Sequence, residues 1–153
     1  MTKLESVVTI EATTDAVWDV LTDTSYIVKL FRDAVAVKVD PPGRSFVGQK
    51  YDLIGKVGRR RIEIFLQVTE LEPKTKVVTT HTPGGLFKSF RQHTILHPGP
   101  GVTVAQTTFE YELSLGYVGK VLNPLVLERL VRDNLKSYAH NLKEISELLP
   151  LPQ

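Results

Sequence analysis

The 153-residue sequence contains no cysteine and has only one methionine and one tryptophan. Without cysteine the chain has no disulfide, no thiol nucleophile and no cysteine-ligated metal site. It also lacks the run of roughly 18 uncharged apolar residues that a membrane-spanning helix requires. No apolar run follows Lys3 near the N-terminus, so a signal peptide is not expected. These features predict a soluble protein of the cytoplasm.

The sequence also lacks a strong excess of charge of either sign. Its formal net charge is +2, with 24% charged and 42% hydrophobic residues. Such values are typical of a globular chain, and this length suits one domain over residues 1–153. The basic cluster formed by Lys56 and residues 59–61 is more readily a solvated hairpin than a phosphate-binding patch. Nucleic acid is therefore not an expected partner.

Motifs of metal and cofactor chemistry are missing as well. Of the four histidines, His81, His93, His97 and His140, the nearest pair is His93 and His97, which lies on the predicted outer face of a strand rather than on a helix. There is no phosphate-binding glycine loop and no serine in a nucleophile-elbow context. We therefore predict neither a metal nor a cofactor, and we assign no catalytic residue.

What the sequence does contain is a long β-rich middle followed by a helical end. Alternation and turn residues predict strands over 3–11, 35–39, 47–55, 60–71, 77–82, 87–97 and 102–115. Capping residues at 13–15 and 23–25 predict two short helices after the first strand. From about residue 119 to 149, apolar residues recur at three- and four-residue steps, which predicts one long amphipathic helix. The fold class is α+β, with a curved antiparallel sheet of six to seven strands.

This arrangement predicts a cavity. A single helix is about 10 Å across, so it cannot fill the concave face of so wide a sheet. Either large side chains fill the remaining space or room is left for a ligand, with access expected where residues 115–127 meet the loops. The residues on the inner face of the sheet therefore decide the function.

Counting across the turns places residues on that inner face. A last hairpin centred on residues 99–100 sets Phe90 opposite Phe109, Gln92 opposite Thr107 and position 88 opposite Tyr111. The preceding turn, at residues 73–74, sets position 66 opposite position 81. On the last helix Tyr138 lies at the centre of the apolar stripe, and Asn134 lies about 40° from it, inside the expected buried face. The candidate ligand-binding residues are Leu66, His81, Phe90, Gln92, Thr107, Phe109, Tyr111, Asn134 and Tyr138.

The order of elements resembles that of the START-like or Bet v 1-like (SRPBCC) superfamily, including its polyketide cyclase/dehydrase-like and coenzyme-Q-binding members. The segments that carry the resemblance are residues 7–12 running into 17–23, then 101–104, 111–113 and the final amphipathic helix. The resemblance covers essentially the whole chain. It implies a helix-grip fold, in which the last helix packs on the concave face of the sheet above a hydrophobic cavity.

Three functions remain open from the sequence. The chain is expected to bind an apolar small molecule, such as a lipid, isoprenoid, quinone or polyketide-like compound, as a carrier or sensor. Alternatively, it is a cyclase or dehydratase in which a tyrosine or histidine acts as general acid in the same cavity. As a third possibility, the cavity is vestigial and the outer surface meets a protein partner, although no feature indicates one.

Overall fold

The fold consists of one antiparallel sheet, two short helices and one long helix. A computed structural model describes residues 1–31, 34–57, 60–81, 87–114 and 124–149. Helices α1 (Thr14–Thr22) and α2 (Thr24–Leu30) lie between the first two strands, and α3 (Pro124–Leu148) follows the last strand. The strands are β1 (Thr2–Ile10), β2 (Ala36–Asp40), β3 (Lys50–Val57), β4 (Arg60–Glu72), β5 (Lys76–His81), β6 (Phe87–Gly99) and β7 (Val102–Leu113).

The seven described strands follow the order β1-β7-β6-β5-β4-β3-β2 in the sheet. Strands β2 to β7 form a meander. Strand β1 extends the sheet at the β7 end, and all residues of β1 pair with β7. The predicted helix-grip fold, with its two short helices after the first strand, is therefore confirmed.

The two short helices begin at the predicted caps. Thr13 Oγ1 accepts a hydrogen bond from the backbone N–H of Ala16 (3.2 Å) at the start of α1. Asp23 Oδ1 accepts one from the backbone N–H of Ser25 (3.0 Å) at the start of α2. Each cap satisfies a backbone donor that has no partner within its helix. These caps fix where α1 and α2 begin.

The predicted register of the last hairpin is wrong by two residues. Phe90 lies opposite Tyr111, Gln92 opposite Phe109 and Thr107 opposite position 94. The reason is the turn, which consists of residues 100 and 101 rather than 99 and 100. Gly101 has φ of 71°, and glycine after proline is the pattern of a type II turn. Because a shift of two residues keeps the pleat, the side chains from Phe90 onward stay on their predicted face. A bulge between Phe87 and Ser89 changes the start of the strand, so that Lys88, predicted opposite Tyr111, is exposed and Phe87 is buried instead.

The start of β3 also differs from that predicted. Strand β3 begins at Lys50 rather than at residue 47, because residues 47 and 48 form a turn in which Gly48 has φ of 104°. Such a left-handed conformation suits glycine and interrupts a strand. The first described residue of α3 is Pro124, and the predicted helical residues 119–123 lie outside the described ranges.

The predicted apolar stripe of α3 faces the sheet. Leu127, Val131, Leu135, Tyr138 and Leu142 are all buried. The first three pack with residues of β4, β6 and β7, whereas Tyr138 and Leu142 pack with residues of α1, α2 and β1. Within the described part of the chain, no helix is long and apolar enough to cross a membrane.

Replacing Leu142 by alanine should destabilise the fold by about 2–5 kcal/mol, because its fully buried side chain would leave a cavity in the core. The matched control is Leu148→Ala on the same helix. Leu148 is 77% exposed, so its loss should change the free energy of unfolding by no more than about 0.5 kcal/mol. Urea unfolding of both variants measures the difference, and equal effects would contradict this placement of α3.

Candidate functional site

A cavity of about 170 Å³ lies between α3 and the inner face of the sheet. We call it the main cavity. Its walls come from the end of α2 and the residues just after it, from β3, β4, β6 and β7, and from the first half of α3. The lining residues are Leu30, Phe31, Ala34, Leu53, Gly55, Lys56, Ile62, Ile64, Leu66, Phe87, Phe90, Gln92, Phe109, Leu127, Leu130, Val131, Asn134 and Ser137.

The cavity results from the position of α3 on the sheet. The backbone of α3 lies closest to β1, β7, α1 and α2, which places the helix over one side of the sheet. The backbone of α3 therefore lies farther from the other side of the sheet, which is formed by β3 and β4. A Cβ atom built on Gly55 in β3 would meet no atom within 4 Å. The space is therefore not filled by neighbouring side chains at that wall.

One wall of the main cavity is aromatic. The Phe90 ring lies 5.1 Å from that of Phe87 and 5.3 Å from that of Phe109, measured between centroids. Tyr111 lies edge-on to Phe87 at 5.5 Å. Tilted and edge-to-face pairs at these distances are favourable beyond the burial of their area. The four rings form a stiff apolar surface, with three of them on the cavity and Tyr111 behind.

A second, smaller space adjoins the main cavity and is more polar. This deep chamber has a volume of about 20 Å³, and Phe31 and Gln92 belong to the walls of both spaces. Polar side chains contribute four other wall positions, at Tyr51, Thr79, Thr94 and Tyr138, all of them buried. The apolar remainder of its wall consists of Leu21, Ile27 and Val77.

The two phenols of the deep chamber are held in their neutral form. Burial raises the pKa of Tyr138 well above its ordinary value, although hydrogen bonding from Thr94 and Gln92 opposes the rise. Burial also raises the pKa of Tyr51, whose hydroxyl lies 3.0 Å from Ser45 Oγ. A neutral phenol can both donate and accept a hydrogen bond. The chamber can therefore bind polar groups without presenting a charge.

The position of Asn134 differs from its prediction. The structure exposes this residue, although it also lines the main cavity together with Lys56, which is exposed as well. The helical wheel correctly places Asn134 on the side of α3 that faces the cavity. Because α3 lies nearer to β1 and β7 than to β3 and β4, this side chain lies at the open side of the cavity. Asn134 and Lys56 thus mark a polar mouth. Residues 115–123 of the predicted access region lie outside the described residues.

The remaining predicted residues fall into three groups. Leu66, Phe90, Gln92 and Phe109 line the main cavity, and Tyr138 lines the deep chamber. Their role in ligand binding stays a prediction, because their placement alone does not demonstrate it.

Thr107, Tyr111 and His81 lie behind these walls. Thr107 Oγ1 is 3.1 Å from Oγ1 of Thr94, a residue of the deep chamber. His81 does lie opposite Leu66 as predicted, and its Nδ1 donates to the carbonyl oxygen of Phe65 (3.0 Å). The His81 ring lies 6.3 Å from that of Phe87. These three residues support wall residues, and none of them is among the described lining residues.

Several lining residues were not predicted. Gly55 carried a usable signal, because a glycine within a strand often marks a place where another group approaches the backbone closely. The parity of β4 likewise places Ile62 and Ile64 inward, and counting across the turn at residues 73–74 sets Thr79 opposite Val68 on the same face. Phe31 had no comparable signal, since its position depends on how α2 packs.

The described residues contain no group of three or more histidine, aspartate or glutamate side chains that could hold a metal ion. His93 and His97 lie on β6 with side chains on the outer face, and His97 Nε2 is 3.2 Å from Gln106 Oε1. His140 is exposed on α3 and pairs with Glu144 at 3.3 Å. The described histidines therefore lie apart from one another.

An antiparallel sheet covered by a long C-terminal helix, with an apolar cavity between them, defines the helix-grip class of ligand-binding folds. The chain belongs to the family described as polyketide cyclase / dehydrase and lipid transport, whose profile matches residues 1–147. The predicted superfamily is thereby confirmed. No protein of curated function shows significant similarity to the sequence.

Solved structures share this fold at low sequence identity. The Zhui aromatase/cyclase from Streptomyces sp. R1128 has a TM-score of 0.80 and 18% identity, covering 95% of this chain and 93% of its own. A START superfamily protein from Mycobacterium smegmatis has a TM-score of 0.72 and 16% identity, with 97% and 99% covered. Truncated norcoclaurine synthase from Thalictrum flavum has a TM-score of 0.73 and 15% identity, with 97% and 95% covered.

Titration of the phenols tests the environment of Tyr138. Because the folded state holds this proton more tightly than the unfolded chain, whose tyrosines ionise near pH 10, stability should fall as the pH rises above about 10. Near-ultraviolet absorbance should show one fewer late-ionising phenol in the Tyr138→Phe variant than in the wild type. Urea unfolding at about pH 8 and pH 10.5 should show a weaker pH dependence in the variant. An unchanged late phase and an unchanged pH dependence would contradict the burial of this phenol.

Proposed function

We propose that the protein binds a small apolar molecule in the main cavity and acts as a carrier or sensor for it. The observation that carries this proposal is an unfilled cavity of about 170 Å³ with a mainly aliphatic and aromatic lining. Membership of a family that includes lipid transport proteins supports it. The same cavity would suit part of a lipid, isoprenoid, quinone or polyketide-like compound.

The size of the cavity limits what it encloses. An engineered apolar cavity of about 150 Å³ holds benzene, so about 170 Å³ encloses one or two fused rings or a short branched chain. A longer ligand would extend through the mouth beside Lys56 and Asn134. Two polar residues at the mouth suit the solvent-facing end of such a molecule, whereas Leu66 and Phe109 contact its buried part.

The driving force would be burial of apolar ligand surface. Covering about 250 Å² of such surface contributes about 6 kcal/mol at about 25 cal/mol per Å², before the entropy lost on association. A rigid two-ring probe such as naphthalene is therefore expected to bind with a dissociation constant of about 40 µM or somewhat weaker. The stiff aromatic wall around Phe90 favours a flat ligand, since the rings lose little freedom when it binds.

An enzymatic function is the second candidate. Tyr138 keeps its proton because burial raises its pKa, so this residue could donate to a carbonyl in a cyclisation or dehydration. The structural similarity to an aromatase/cyclase adds weight to this alternative. A hollow filled by the protein's own side chains would favour the third possibility, an interaction module with a vestigial cavity, whereas the open space beside Gly55 supports the binding of a ligand.

The Gly55→Leu variant should occupy the main cavity with its own side chain. We expect its affinity for naphthalene to fall at least tenfold, with no loss of thermal stability, because the new side chain enters open space. Asp52→Leu is the matched control, since it adds the same side chain to β3 on the opposite face of the sheet. Equilibrium dialysis measures binding. Undiminished binding by Gly55→Leu would place the probe elsewhere and contradict the proposed site.

Native mass spectrometry of gently purified protein distinguishes a carrier from an enzyme. A carrier should retain the same co-purified molecule in the wild type and in Tyr138→Phe, because nothing in the cavity alters it. A dehydratase would instead leave a molecule in the variant that is heavier by one water than the one in the wild type. That mass difference would overturn the carrier role in favour of the second candidate.

A further inference from the structure

The deep chamber has the properties of a recognition site for one oxygen-containing group. Its volume of about 20 Å³ accommodates a group no larger than a water molecule. It adjoins the main cavity at Phe31 and Gln92, so a molecule lying in the main cavity can direct one end toward it. A phosphate or a sugar would be too large.

The Thr79 side chain provides an observation independent of shape. Thr79 is 94% buried, since 6% of its surface is exposed, and it is one of the wall residues of the deep chamber. Within the described part of the chain, Thr79 Oγ1 has no hydrogen-bond partner. A buried polar group without a partner is costly, so such groups are normally satisfied. The group that enters this chamber can satisfy it.

Two neighbouring hydroxyls of the chamber are already hydrogen-bonded. Thr94 Oγ1 lies 3.1 Å from Oγ1 of Thr107, and the Tyr51 hydroxyl lies 3.0 Å from Ser45 Oγ. Among the described residues of the chamber, Thr79 is the one with a buried hydroxyl that has no partner. A threonine hydroxyl donates one hydrogen bond and accepts others, so it matches either a hydroxyl or a carbonyl on the ligand.

We infer that the ligand is a neutral, mainly apolar molecule whose inner end carries one hydroxyl or carbonyl group, and that Thr79 is the residue that recognises it. This inference rests on the proposed binding function and specifies its ligand class. An ionised group is disfavoured because the described wall of the deep chamber carries no basic side chain, and its two phenols are neutral. Thr79 thus acts as a specificity-determining residue.

The test compares naphthalene with 2-naphthol, which differs by one hydroxyl and is neutral near pH 7. Wild-type protein should bind 2-naphthol about three- to tenfold more tightly than naphthalene, the range expected for one added neutral hydrogen bond. Thr79→Val should abolish that preference, whereas Thr79→Ser, which keeps the hydroxyl, should retain it. Thr80→Val is the matched control, because Thr80 lies next along β5 and its Oγ1 is 2.9 Å from Thr69 Oγ1 on the outer face.

The outcomes separate this inference from the proposed function. If neither naphthalene nor 2-naphthol binds, the proposed function fails. If both bind equally, or if Thr79→Val keeps the preference, the function stands and the role of Thr79 is overturned. Binding of ionised 2-naphthoate as tight as that of 2-naphthol would overturn the neutral ligand class. Thermal melts of all three variants establish that each is folded.

Discussion

The width of one helix compared with that of the sheet is the constraint on which the rest of this structure depends. A helix with its side chains is about 10 Å across, whereas seven strands spaced about 4.8 Å apart form a much wider surface. The backbone of α3 lies nearest to β1 and β7, and this side of the sheet is tightly packed around Leu142 and Ile10. On the opposite side, among the described residues, the short helix α2 contacts β2, and the end of this helix lines the cavity. The main cavity occupies that side, between the first half of α3 and strands β3 and β4.

The fold was largely predictable from the sequence because apolar residues recur every second residue in its strands and every three or four residues in its helices. Alternation along β1 and the three- and four-residue steps along α3 report burial directly, and the caps at Thr13 and Asp23 mark the short helices. The details of the turns were less predictable. Gly101 rather than Gly99 takes the left-handed position of the last hairpin, and this choice moved the cross-strand partners of residues 89–99 by two residues.

The candidate site was predictable to the extent that it depends on strand parity. Leu66, Phe90, Gln92 and Phe109 face the cavity because alternate residues of a strand face one side. The sequence could not show how far α3 lies to one side of the sheet, so Asn134 was placed in the core although it lies at the mouth. Nor could it show that the polar groups divide into two spaces. That division depends on Phe31, whose position follows from the packing of α2 against α3.

Polarity therefore changes with depth in this fold. Exposed polar residues surround the mouth, aliphatic and aromatic side chains line the middle, and neutral hydroxyl and amide groups line the deep chamber. Such an arrangement combines a non-directional driving force in the middle with directional hydrogen bonds at the inner end. In the proposed binding mode, the apolar part of the ligand would supply most of the binding free energy, and its single polar group would set the orientation of the ligand.

The central claim is that α3 leaves an apolar hollow that a guest can occupy. Diffraction from crystals pressurised with xenon tests this most directly, because xenon enters empty apolar cavities and scatters strongly. The account predicts xenon density enclosed by Leu66, Phe109 and Leu127. Crystals without xenon at this position, in which the protein's own side chains fill the space, would contradict it.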